Sequence, residues 1–198
     1  MVHCAGWCDG WTPRIFLSLY WGERKTLALA EHGYPRLAEA IVLLMTPSSP
    51  EGSAAAPSGL ERFRQRLVGR GSRPAFSGAR KAFPDTQTGV RIEIVTTGEY
   101  PGDGLLKPVA FPDPGAPGVA VRMEDVPVLV LEKLIELKLA SGMSAPHRLR
   151  DLADVQDLIG RLGLPLAFAQ QLDPSVQGTY RELWEGARAG DDVHPRER

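Results

Sequence analysis

Two stretches of the chain show clear helical periodicity, and in both a charge stands inside the apolar stripe. In Leu131-Glu-Lys-Leu-Ile-Glu-Leu-Lys138-Leu139, the residues Leu131, Leu134, Ile135 and Leu139 recur at helical spacing. At about 100° per residue, Lys138 falls in the middle of that stripe. The second stretch, Arg148–Ile159, carries the stripe Leu152, Val155, Leu158 and Ile159. Asp151 lies inside it, between Val155 and Leu158, and Arg148 lies close to Val155. A buried unpaired charge is costly, so these groups are expected to pair with one another or to face a polar cavity. Asp154 is expected at the solvated edge of the cluster, and Asp157 on the surface.

Other patterns are shorter. Residues 27–33 read as the end of a helix with Gly33 as its C-cap. Ile41–Met45 reads as a buried strand and Leu60–Val68 as a short helix. Between them, residues 47–59 form a Pro/Ser/Ala/Gly insert that is flexible by composition. Arg80–Phe83 and Val90–Val95 are expected strands around the turn at 84–89. In the second, Val90, Ile92 and Ile94 share one face, and Arg91, Glu93 and Val95 the other. The Gly- and Pro-rich residues 98–118 predict a long ordered loop or a lid. Short strands are expected at Val119–Met123 and Val126–Val130, and short helices at Phe168–Leu172 and Tyr180–Ala187.

The expected fold is α/β, a small mixed sheet flanked by helices with a helical C-terminal portion. It occupies residues 27–187, after an atypical segment 1–26 and before a disordered tail 188–198.

Composition narrows the function classes. Of the 198 residues 43% are apolar and 24% charged, as in an ordinary globular protein. The formal net charge of −1 gives no basic field for nucleic acid, and Glu61 together with that overall balance weakens the local basic stretches around Arg62–Arg73. No apolar run approaches the roughly 20 residues that span a bilayer, so no membrane partner is expected and a cytoplasmic protein is the default. Segment 1–26 holds Trp7, Trp11, Trp21 and both cysteines, Cys4 and Cys8, too few for a disulfide framework. His3, Cys4, Cys8 and Asp9 lack the second ligand pair of a zinc site, and the segment reads as a poorly specified terminus.

Several motifs follow one another in a definite order: Glu31-His32-Gly-Tyr-Pro-Arg36, Ile41–Met45, Val90-Arg-Ile-Glu93, Leu137–Met143 with His147-Arg148, and Arg148-x-x-Asp151-x-x-Asp154. Thr97–Gly104 and Lys107–Pro114 add to the set. The order resembles the small bacterial nucleotidyltransferase-like proteins of the polymerase-beta type superfamily, including abortive-infection nucleotidyltransferase relatives. It covers roughly residues 27–185.

The resemblance implies a nucleotidyltransferase-like fold and a nucleoside triphosphate held by two Mg²⁺ ions. Carboxylates bind such hard cations, which activate the attacking hydroxyl and stabilise the leaving pyrophosphate. In the family a Gly-Gly or Gly-Ser precedes a helix, an Asp-x-Asp lies on the next strand and a third carboxylate on a later one. Here Gly22–Thr26 stands in place of the glycine pair and Ala40-Ile41-Val42 in place of the dyad. Glu93 occupies the third position.

The resemblance therefore implies a degenerate enzyme, with Glu93 a remnant ligand and Lys138, Arg148, Asp151 and Asp154 at the rim of the nucleotide site. The structural alternative makes Glu93 a strand residue paired with Arg91, and the other four a network that fixes two helices. His32 and Arg36 are either substrate contacts or parts of a turn. Gly98–Gly104 matches no phosphate-loop spacing and reads as a structural loop, and His147 as a helix-start residue. A second function class remains: a non-catalytic module such as an antitoxin or partner-binding subunit, with a protein partner. A third account is a damaged or remodelled reading frame, since the departures cluster towards the N-terminal end.

Overall fold

Alternation along a fully covered strand explains the centre of the sheet. In the computed structural model, residues 15–18, 40–46, 59–68, 72–75, 81–84, 86, 91–123 and 126–193 are described. Strands β1 (Ile15–Ser18), β2 (Ala40–Met45), β3 (Ala82–Pro84) and β4 (Arg91–Thr96) form one sheet in the order β1-β2-β4-β3. β2 and β4 are parallel, and β1 and β3 join them antiparallel, so the sheet is mixed as expected. Leu43 and Met45 of β2 point to one face, where Phe83, Ile94 and Phe63 of helix α1 (Gly59–Val68) form a small core. Leu44 points to the other face and joins the main core. A strand covered on both sides needs apolar residues at consecutive positions, as the run Ile41–Met45 shows.

The main core lies against helices α2 (Leu131–Gly142), α3 (Leu149–Leu162) and α4 (Gln177–Val193). The hairpin β5 (Ala120–Met123) and β6 (Val126–Leu129) leads into α2, and β6 runs beside β1. Helix α2 is central: every residue from Leu134 to Gly142 is buried. Its polar members Glu136, Lys138 and Ser141 are therefore buried with the leucines. Helix α3 ends at Gly163, whose φ of 61° is left-handed and suits glycine. Beyond a 3₁₀ segment at Leu166–Gln171, α4 is pinned by two side-chain donors. Trp184 Nε1 donates to Leu164 O at 2.9 Å, and Tyr180 Oη to Pro165 O at 3.2 Å.

Several boundaries differ from expectation. β1 lies inside the segment 1–26, which showed no period. α4 continues to Val193, six residues into the expected tail 188–198. Phe168–Leu172 falls largely in the 3₁₀ segment rather than an α-helix. The expected helix at 27–33 and most of the insert 47–59 lie outside the described residues. Among the described residues, no helix is long and apolar enough to cross a membrane.

Candidate functional site

The charges in the helical stripes meet. Lys138 Nζ on α2 lies 2.8 Å from Asp154 Oδ2 and 3.2 Å from Asp151 Oδ1 on α3. Ser141 Oγ donates to Asp151 Oδ2 at 2.7 Å. Both helices offer residues three apart on one face, Lys138 with Ser141 and Asp151 with Asp154, so two pairs interlock across the contact. The cluster is closed, with Asp154 only 2% exposed and Lys138 9%. Asp154, expected at a solvated edge, is thus its most buried member. Arg148 is exposed in the short 3₁₀ turn Pro146–Arg148 and is absent from the cluster's ion pairs with Lys138. Asp157 is exposed, as its position on the helix predicts.

One further buried polar residue of α2, Glu136, is satisfied in other directions. Glu136 Oε2 accepts from Lys133 Nζ at 2.7 Å, and Glu136 Oε1 accepts from Asp173 N at 3.0 Å. That carboxylate ties α2 to the turn before α4. Ser141 could be anticipated from its place three residues after Lys138; Glu136 gave no such signal, because its burial comes from neighbours remote in sequence.

Glu93 sits in a different environment. The parallel register pairs Val42 with Glu93 and Ala40 with Arg91. Glu93 Oε1 lies 2.8 Å from Arg91 Nε, the strand pair of the structural alternative. Among the described residues, no group of three or more His, Cys, Asp or Glu side chains gathers as metal ligands. A single carboxylate already paired with an arginine, opposite a valine, does not fit a Mg²⁺ pair. His3, Cys4, Cys8, Asp9, Gly22–Thr26, His32 and Arg36 lie outside the described residues.

The loop after β4 is held at several points. Glu99 pairs with Lys81 and accepts from Thr96 N at 3.1 Å. Gly98 N donates to Phe111 O at 2.9 Å, and Phe111 N to Glu99 O at 2.8 Å. Farther along, Thr46 Oγ1 donates to Asp113 Oδ1 at 2.8 Å. Burial pushes Glu99 up, but hydrogen bonds from Lys81 and Thr96 and the Lys81 charge outweigh it. Its carboxyl is held below the ordinary 4.5. No sequence signal pointed to the Lys81–Glu99 pair, since tertiary structure alone brings the two together.

No family model matches the chain, and no curated protein or solved structure matches it. Function therefore has to be read from these side chains.

Proposed function

We propose that this is a nucleotidyltransferase-fold protein that has lost nucleotidyl transfer and keeps the helical frame of the ancestral site. The observation that carries the reading is the register Val42↔Glu93 on adjacent parallel strands. In the fold the resemblance implies, that pairing is where a strand dyad and a third carboxylate would converge. Position 42 offers an isopropyl group instead, and Glu93 is engaged by Arg91.

Lys138 supports the same reading. A lysine that contacts phosphate needs a free ammonium facing the ligand, whereas Lys138 is closed in between two aspartates. Its role here is to lock α2 onto α3. Buried ion pairs of this kind contribute more to a unique packing than to net stability, because desolvation offsets most of the Coulomb gain.

The test is an assay of NTP transfer by the full chain with Mg²⁺ or Mn²⁺. The reading expects no transfer above background. Turnover that disappears in Glu93→Ala or Lys138→Ala would overturn it.

A further inference from the structure

The loop after β4 reaches the C-terminal end of α2 at one tight point. Pro101 and Val109 are buried and Asp103 to Leu106 are exposed, so the segment is anchored at both ends and has a solvent-facing tip. Asp103 N donates to Ser144 Oγ at 3.2 Å, and that hydroxyl donates to Ser141 O at 2.6 Å. Gly102, at φ +78°, approaches so closely that a Cβ there would overlap the Ser144 hydroxyl and stand 2.9 Å from Ser141 O. The tip is braced from within. Asp103 Oδ1 accepts from Leu105 N at 3.0 Å, and Lys107 pairs with Asp103 and donates to Pro101 O at 2.6 Å.

Ser141 belongs to two sets of contacts. Its carbonyl takes the Ser144 hydroxyl beneath the loop, and its own hydroxyl donates to Asp151 Oδ2 at 2.7 Å. Asp151 in turn accepts from Lys138 Nζ at 3.2 Å. One serine thus joins the loop to the buried ion cluster. Of the three charged side chains there, Asp151 is 21% exposed, Lys138 11% and Asp154 3%. The edge of the cluster nearest solvent is therefore the edge that Ser141 holds, beside the clasp.

We propose that residues 101–107 are a strap that closes the Lys138–Asp151–Ser141 cluster against water, and that strap and cluster open together. The close approach at Gly102 is one that a side chain would block, so the strap is seated rather than merely adjacent. The bonds that brace its tip all lie within 101–107, so it moves as a unit. The clasp turns on the Ser144 hydroxyl, and its release is a local opening far smaller than global unfolding. With the strap lifted, Ser141 and Asp151 face water, and the Lys138 pairing loses the exclusion that strengthens it. Coupling is reciprocal, so loosening the cluster also loosens the strap. The device governs access to the cluster and holds whether or not the chain transfers nucleotides.

The experiment reads both ends in the full chain: amide hydrogen exchange at Leu105 by NMR, and acetylation of Lys138 by acetic anhydride followed by mass spectrometry. Leu105 N bonds Asp103 and not Ser144, so its exchange reports release of the whole strap. Ser144→Ala removes the clasp hydroxyl, and Gly102→Ala blocks the close approach. Each is expected to raise both Leu105 exchange and Lys138 acetylation about tenfold. Exchange in α4 should stay as in the natural chain, which separates strap release from global unfolding. If Gly102→Ala unfolds the chain, Ser144→Ala, which removes a single oxygen, carries the test. In the reverse direction Asp151→Asn should speed Leu105 exchange with the clasp residues intact. Release at Leu105 without a change at Lys138, faster acetylation without release at Leu105, or no response to Ser144→Ala overturns the proposal. So does indifference of Leu105 to Asp151→Asn, or an equal acceleration in α4.

Discussion

Val42 and Glu93 are register partners on the parallel strands β2 and β4, and the one carboxylate of the pair is bound to Arg91 2.8 Å away. Adding acids to β2 should therefore create a cation site of a kind absent among the described residues. Ala40→Asp with Val42→Asp is expected to bind Mn²⁺ measurably by electron paramagnetic resonance, and Glu93→Gln in that background to weaken it. If the double variant folds and binds no Mn²⁺, the proposed correspondence of β2 and β4 to the catalytic strands fails.

The Lys138 cluster makes a stability prediction. Lys138→Met leaves Asp151 and Asp154 without the ammonium they share, in a site from which water is largely excluded. Removing one partner of a buried ion pair costs about 3–5 kcal/mol. Urea unfolding should register that loss. Lys138→Met combined with Asp154→Leu should cost less than the sum of the single changes, because the two groups are coupled. Strict additivity would mean that the pair does not act as a unit.

Helix α2 also meets α3 at a glycine. A Cβ on Gly142 would stand 2.5 Å from Leu152 Cγ and 3.1 Å from Leu152 N. Alanine is the better helix former by about 1 kcal/mol. Overpacking of a tight contact costs about 1–3 kcal/mol, so Gly142→Ala is expected to destabilise on balance. Thermal melting checks the sign, and a rise in Tm would show that the contact relaxes without strain.

Glu99 gives the loop a pH dependence. Its folded pKa is depressed, so its contribution is fully present above the ordinary 4.5 and is lost as pH falls through the lower folded value. Protection against hydrogen exchange in the segment 97–111, relative to the intrinsic rate at each pH, should fall on the acid side of pH 4.5 in the natural chain. In Glu99→Gln that protection should be lower already at neutral pH and change less on acidification. An identical acid response in both chains would assign the effect to another carboxylate.

The Lys138–Asp151 contact was legible because each residue interrupts an apolar stripe, and two such interruptions on successive helices have few ways to be satisfied. Asp154 was misplaced because its neighbours made it look peripheral. The side of α3 that meets α2 includes it, beside Val155 and Leu158, both fully buried. Arg148 was misplaced for another reason. It closes a 3₁₀ turn before α3 begins at Leu149, so its direction does not follow the α-helical phase of the residues after it. Four residues at Ile15–Ser18 are too few to reveal a period of two, and pairing with β2 is what makes them a strand. Lys81–Glu99 and Glu136–Asp173 depend on tertiary proximity, which no local pattern encodes.

The central claim, that the frame of a nucleotidyl-transfer site survives without its chemistry, is tested most directly by incubating the full chain with each labelled nucleoside triphosphate. Mg²⁺ or Mn²⁺ is supplied, and label is followed into product. The prediction is that no nucleotide transfers above background with either metal. Transfer that is abolished by Glu93→Ala or Lys138→Ala, in variants that remain folded, would contradict it.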